Sequence, residues 1–228
     1  MSNNPVQLEP ATEAGAKLAP LIDHTLLKPE ASAAQILKLC KEALHYGFAS
    51  VCVLPSRLPE AAAALAGSQV KAGTVVGFPY GATPALIKAK EAEAYAAMGA
   101  NELDMVIAIA ALKDARFDAV RADIAAVVKA APDTTVKVIL ETALLSDDEK
   151  ATACRLAMEA GAAFVKTSTG LLAGATAEDV RLMRRTVGEK MGVKASGGIR
   201  DLACAQAMAA AGASRLGTSA AITIVTAK

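Results

Sequence analysis

The sequence predicts a (β/α)8 TIM barrel with a short N-terminal helix, filling residues 1–228 as a single domain. Three observations predict it. Short apolar runs alternate with helical segments eight times, at about 25–30 residues per unit, the size of a βα unit. The runs read as apolar on both faces, as parallel strands covered by helices do. Glycine-rich turns follow the seventh and eighth runs, where barrels of this type commonly hold phosphate. An open doubly wound sheet is the alternative for alternating β and α. The count and the position of the turns favour the barrel.

Taken in order, Glu9 to Ala19 is expected to form the leading helix. Leu21-Ile22 opens the first apolar segment, which ends in Asp23-His24-Thr25. Ser32 then N-caps a helix through Ile36, Leu39 and Cys40 to about His45, ended by Gly47. Ser50 to Leu54 is β-branched and stopped by Pro55, a strand signature. Alanine-rich Leu58 to Leu65 is helical. Val70 to Val76 is the third strand, closed by a rigid turn, Gly77-Phe78-Pro79-Tyr80-Gly81, at the pocket rim. Thr83-Pro84 opens a helix, proline in its first turn, that ends at Gly99. Glu102 to Ile107 is a strand, Phe117 to Ala131 a helix, and Val136 to Leu140 the fifth strand. Ser146 and Glu149 make a capping box for a helix to Ala160. Ala162 to Lys166 is the sixth strand, and Thr176 with Asp179 caps a helix to about Val187. Val193 to Ala195, a helix from Arg200 to Ala211, Ser214 to Leu216 and a last short helix complete the series.

Composition narrows the function. The chain is 54% hydrophobic with no Trp, which gives a well-filled core and argues against disorder. Its 24 basic and 23 acidic residues leave a formal charge of +1. No basic stripe with interleaved aromatics appears, so no nucleic-acid partner is expected. An acidic ligand must be met by local groups, not by a global field. Cys40, Cys52, Cys154 and Cys204 lack metal-ligand or disulfide-framework spacing, so no metal is expected and the cysteines read as buried, reduced thiols. Met1 to Glu9 is polar and unlike a secretory leader, and no run is long enough to span a bilayer. A soluble cytoplasmic protein is expected.

In a barrel, reactive groups project from the C-terminal strand ends. Asp23-His24-Thr25, Cys52, Asp104, Lys137, Glu141, Lys166 and Lys194 stand there. Asp23-His24 reads as structural hydrogen bonding, because no nucleophile motif accompanies it. Lys137 and Glu141 share a strand face, as do Lys166 and Ser168. Lysines on three consecutive strands would repel one another in a narrow barrel. Repulsion and desolvation both lower a lysine pKa. A lysine attacks a carbonyl only as the free amine, and moving its pKa from about 10.4 to about 7 needs roughly 4–5 kcal/mol. The same residues also fit a set of salt bridges, Lys137 with Glu141 or Lys166 with Asp104. Ser196-Gly197-Gly198 and Gly217-Thr218-Ser219, each before a helix, are suited to cradle a phosphate.

Together these segments resemble the deoxyribose-phosphate aldolases, a class I aldolase family of (β/α)8 type. The resemblance rests on Ile22 to Leu27, Ser50 to Pro55, Val76 to Pro79, Glu102 to Val106, Val136 to Thr142, Phe164 to Gly170, Val193 to Arg200 and Gly217 to Ser219, in order from the first strand to the eighth. It implies reversible cleavage of 2-deoxy-D-ribose 5-phosphate to D-glyceraldehyde 3-phosphate and acetaldehyde. It implies that Lys166 forms the Schiff base, that Lys194 lowers its pKa, and that Asp104 serves the proton relay. Gly170, Gly197, Gly198, Gly217 and Ser219 match phosphate-holding positions. Thr25, Leu27 and Cys52 match the pocket wall, and Lys137 an inner support. The protonated imine is itself the electron sink, so neither cofactor nor metal is expected. A homodimer is expected because the family often forms one.

Two positions depart from the pattern of some relatives: Leu171 replaces a basic residue and Ala220 a serine, which predicts a looser grip on phosphate. The sequence ends at Lys228, and no counterpart of the longer tail of some relatives is expected. Another Schiff-base barrel aldolase or transaldolase, or a non-catalytic phosphosugar-binding barrel, is the alternative reading.

Overall fold

The computed structural model describes residues 8–227, and its eight strands close into a parallel barrel in chain order. The polar stretch over Met1 to Gln7 lies outside the described residues. Helix α1 (Glu13–Leu18) and a 3₁₀ turn lead into β1 (Ile22–Leu26). The units that follow are α2 (Ala33–Tyr46), β2 (Ser50–Val53), α3 (Leu58–Leu65), β3 (Lys71–Val76), α4 (Ala85–Ala97) and β4 (Glu102–Val106). Then come α5 (Ile109–Lys113), α6 (Phe117–Ala130), β5 (Thr135–Ile139), α7 (Asp147–Glu159), β6 (Phe164–Lys166) and α8 (Ala177–Val187). The chain finishes with β7 (Gly192–Ser196), α9 (Leu202–Ala210), β8 (Arg215–Thr218) and α10 (Ala221–Thr226).

The caps form where the sequence supplies them. Ser32 and Ser146 make complete capping boxes with Gln35 and Glu149, and Gly47 ends α2 in the left-handed conformation at φ 68°. Two expectations are corrected and one element is added. Pro84 stands at the N-cap of α4, not in its first turn, and Thr83 makes no cap there. Gly217 and Thr218 belong to β8 and not to a turn after it. Helix α5 was not foreseen, since five residues without a side-chain cap show no period to read.

The strands are not apolar on both faces. Their outward residues, among them Ile22, Val51, Leu103, Val138, Val165 and Leu216, join the helices in one hydrophobic layer. The alternate residues point into the barrel, and many are charged: Asp23, Glu102, Asp104, Lys137, Lys166, Lys194 and Arg215. Barrels of this type ordinarily fill that space with branched aliphatic side chains.

Helices α1 and α10 meet, with Thr12 N–H donating to the Val225 carbonyl at 2.8 Å. A methyl on Gly15 would lie 2.1 Å from that carbonyl oxygen, and backbone cannot move aside. Gly15→Ala is therefore expected to cost about 1–3 kcal/mol by denaturant unfolding, as other overpacked sites do.

Candidate active site

Strand register brings residues distant in sequence to one point inside the barrel. Asp104 pairs in register with Lys137, and Lys166 with Lys194. Asp104 Oδ2 accepts from both Lys166 Nζ and Lys194 Nζ at 2.7 Å, and Asp104 Oδ1 from Lys137 Nζ at 3.1 Å. Lys194 Nζ also lies 2.6 Å from Asp23 Oδ2. Lys137 Nζ lies 2.5 Å from Glu102 Oε2 and 3.5 Å from Asp23 Oδ2. Arg215 closes the far side against Asp23 and Glu102.

The three lysines are not electrically alike. Burial pushes Lys166 below its ordinary value, Lys194 adds repulsion, and the pull of Asp104 does not cancel them. Burial also opposes the charge on Lys194 and Lys137, yet their neighbouring carboxylates outweigh it and both rise. Of the three, only Lys166 moves in the direction expected for a free amine. Burial alone would raise Asp104, but the three ammonium groups hold it well below the usual carboxylate range. Burial pushes the Cys52 thiol up to about 11, which keeps it protonated near neutrality.

Lys166 reaches the floor of a cavity of about 310 Å³ at the C-terminal end of the barrel. Thr25, Leu27, Gly170, Gly197, Gly198, Gly217 and Ser219 line the same cavity. Asp104, Lys194, Lys137 and Cys52 are buried inside the barrel and do not line it. Gly170, Gly197 and Gly198 have φ of 88°, 87° and 77°, which side chains rarely adopt. A Cβ on Gly197 would lie 3.1 Å from the Cα of Gly170 and of Gly174, so the turns after β6 and β7 interlock. Leu171 lies at the mouth, 62% exposed. Two exposed cations, Lys28 and Arg200, line the same cavity. The cavity thus offers an amine with a lowered proton affinity at one end and backbone turns with two cations at the other.

The family described as DeoC/LacD family aldolase matches residues 17–222. The chain belongs to this family. It is 56% identical over 210 residues to the deoxyribose-phosphate aldolase of Clostridium perfringens (strain SM101 / Type A), covering 91% of this chain and 94% of that one. It is 57% identical over 210 residues to that of Streptococcus sanguinis (strain SK36), covering 92% and 96%. Among solved structures, the tetrameric deoxyribose phosphate aldolase of Aeropyrum pernix superposes with a TM-score of 0.86 at 35% identity, covering 92% of this chain and 90% of that one.

Within this aldolase fold several sequence expectations are corrected. Glu141 does not pair with Lys137. Its backbone is left-handed at φ 58°, which ends the alternation of β5 and turns the side chain toward β6. Glu141 Oε2 accepts from the Thr169 hydroxyl at 2.5 Å and the Thr169 N–H at 3.2 Å. The Phe78-Pro79 turn is not part of the cavity wall. Cys204 is half-buried, unlike the other three cysteines. Glu102 and Arg215 were missed as members of the charged network, and Lys28 and Arg200 as cations at the mouth. Alternation marks Glu102 beside Asp104, but nothing local marks Arg215. Asp23 and His24 are hydrogen-bonded as expected, to Arg215 and Glu42, and Asp23 also stands between Lys137 and Lys194, which no sequence signal marks. Among the described residues there is no cluster suited to a metal ion and no helix long and apolar enough to cross a membrane.

Glu141 fixes the turn that carries Gly170 and Leu171, because the Thr169 hydroxyl it engages also accepts from Leu171 N–H at 3.2 Å. Glu141→Ala leaves that hydroxyl without its buried acceptor. A loss of about 1–3 kcal/mol in unfolding free energy is expected, measured by denaturant titration.

Proposed function

We propose that the chain is a class I deoxyribose-phosphate aldolase, reversibly cleaving 2-deoxy-D-ribose 5-phosphate to D-glyceraldehyde 3-phosphate and acetaldehyde. The observation that carries the reading is Lys166, a lysine of lowered proton affinity opening into a cavity between a buried carboxylate and glycine turns. The identity to the relatives above supports the substrate.

In this reading Lys166 Nζ attacks the aldehyde carbon of the open-chain sugar, and loss of water leaves a protonated imine. The bond between the second and third sugar carbons then breaks, its electron pair passing to the imine nitrogen as an enamine. The proton of the third-carbon hydroxyl passes to the Asp104–Lys194 relay, and D-glyceraldehyde 3-phosphate departs. The relay returns a proton to the enamine carbon, and water releases acetaldehyde and the free amine. Gly170, Gly197, Gly198, Gly217 and Ser219 hold the phosphate in this reading. Thr25 and Leu27 shape the wall around the sugar, Cys52 backs it, and Lys137 supports Asp104 from below. The interlocked turns and the mouth cations Lys28 and Arg200 support a phosphate at that end. No cofactor takes part.

We take the whole chain to work as one barrel domain, in the cytoplasm and as a homodimer, with no nucleic-acid or membrane partner. Light scattering after size exclusion checks the dimer. The chemistry is tested by adding acetaldehyde and borohydride and mapping the adduct. An N-ethyl group on Lys166 is expected, with cleavage insensitive to chelators. Equal trapping in Lys166→Ala, or cleavage that survives that change, sinks the reading.

A further inference from the structure

The charged network contains four cations, Lys137, Lys166, Lys194 and Arg215, and three carboxylates, Asp23, Glu102 and Asp104. Six of these groups are buried and Arg215 is half-buried at the edge; fully ionised, the network would carry one uncompensated positive charge, which favours loss of a proton. Arg215 cannot supply that proton, because a guanidinium stays charged in proteins. Lys137 lies near three carboxylates and Lys194 near two, but Lys166 near Asp104 alone, and shares it. Lys166 is the weakest-held member and the one that opens to the cavity.

Arg215 sits at the other end, on the first residue of β8. Its Nε donates to Asp23 Oδ1 at 2.7 Å, and Nη2 donates to Glu102 Oε2 at 2.8 Å. Its guanidinium lies 5.8 Å over the Phe164 ring. That ring occupies space a side chain at Gly192 would need, since a Cβ there would come within 2.1 Å of it. Two arms of ion pairs run from Arg215 to Lys166. One passes through Asp23, Lys194 and Asp104, the other through Glu102, Lys137 and Asp104. The groups facing Lys166 are Asp104 from β4, Lys194 from β7 and the Cys52 thiol from β2. Asp23, Glu102, Lys137 and Arg215 stand behind them.

We propose that Arg215 is a positioning residue for the reaction: by engaging Asp23 and Glu102 with a permanent charge, it makes Lys166 the group that must give up its proton. This rests on the aldolase reading for its use, but not for its test. Without Arg215 the network holds three cations and three carboxylates, and Lys166 can keep its proton. Removing Glu102 as well restores the excess of one cation.

The test follows the pH midpoint at which a brief pulse of acetic anhydride acetylates Lys166, read by peptide mass, in the full chain. Arg215→Met is expected to move the midpoint alkaline by about one pH unit or more, a tenfold loss of free amine at neutral pH. Glu102→Gln moves it toward acid. The double variant Arg215→Met with Glu102→Gln returns close to the wild type. A merely structural role for Arg215 would not be repaired by deleting a carboxylate. The proposal is overturned by an unmoved midpoint in Arg215→Met, or by a double variant as alkaline as the single one. Should Arg215→Met fail to fold, Glu102→Gln and the double variant decide, and an unmoved midpoint in Glu102→Gln overturns it. Acetylation needs no turnover. A missing N-ethyl adduct on wild-type Lys166 therefore counts against the aldolase reading alone.

Discussion

Lys166→Ala is expected to lower cleavage of 2-deoxy-D-ribose 5-phosphate by roughly 10⁴-fold or more, in line with deletion of a covalent nucleophile. The change removes the attacking amine and leaves Asp104 with Lys137 and Lys194, which still satisfy it. Folding should therefore survive. Far-ultraviolet circular dichroism close to wild type, together with no adduct after borohydride and acetaldehyde, is the expected pair of results. Lys166→Arg keeps a charge at the site but cannot become a free amine near neutrality, and should be equally inactive. Substantial cleavage by either variant would remove Lys166 from the chemistry.

Asp104→Asn acts on more than one property, because Asp104 touches all three lysines. Breaking a buried ion pair by removing one partner costs about 3–5 kcal/mol, and general acid–base help is worth about 10²–10⁴-fold. Both losses are expected together, in unfolding free energy and in kcat. The sign with pH follows from the folded state holding Asp104 well below the usual carboxylate range. A depressed carboxyl contributes stability in full above its unfolded pKa, about 3.9, and loses it as pH falls through the folded value. The gap between wild type and Asp104→Asn should be full at neutral pH and close progressively below about pH 4. A gap that widened toward acid would contradict this assignment.

Lys166, Lys194 and Asp104 were legible in the sequence because each interrupts an apolar run with a charge that burial cannot tolerate alone. The eight strands were legible for the same reason that outward faces are aliphatic: Val51, Leu103, Val138 and Val165 advertise a helix-covered sheet. Who meets whom was not. Arg215 and Asp23 are 192 residues apart, and Arg215 and Glu102 are 113 apart. Only closure of the barrel and the register of β8 on β1 bring the first pair together. Glu141 misled by alternation, because one left-handed residue ends the pattern without leaving a glycine to mark it. The lowered proton affinity of Lys166 follows from burial and from repulsion by Lys194, both of which the sequence suggests; that Asp104 is the one carboxylate paired with it is a count no local motif contains.

The charged inner face also bears on how the barrel finds its register. Outward and inward residues alternate along every strand, so a slip of one position would exchange them. A slipped β5 would press Lys137 into the aliphatic layer beneath the helices, far from Glu102 and Asp104. A slipped β7 would do the same to Lys194. Each such ion, stripped of its partners, would cost several kcal/mol, so a mispaired barrel is penalised strand by strand. A core of interchangeable valines and leucines on both sides would carry no such penalty. The groups that tune one amine thus also act as a proofreading device for strand pairing.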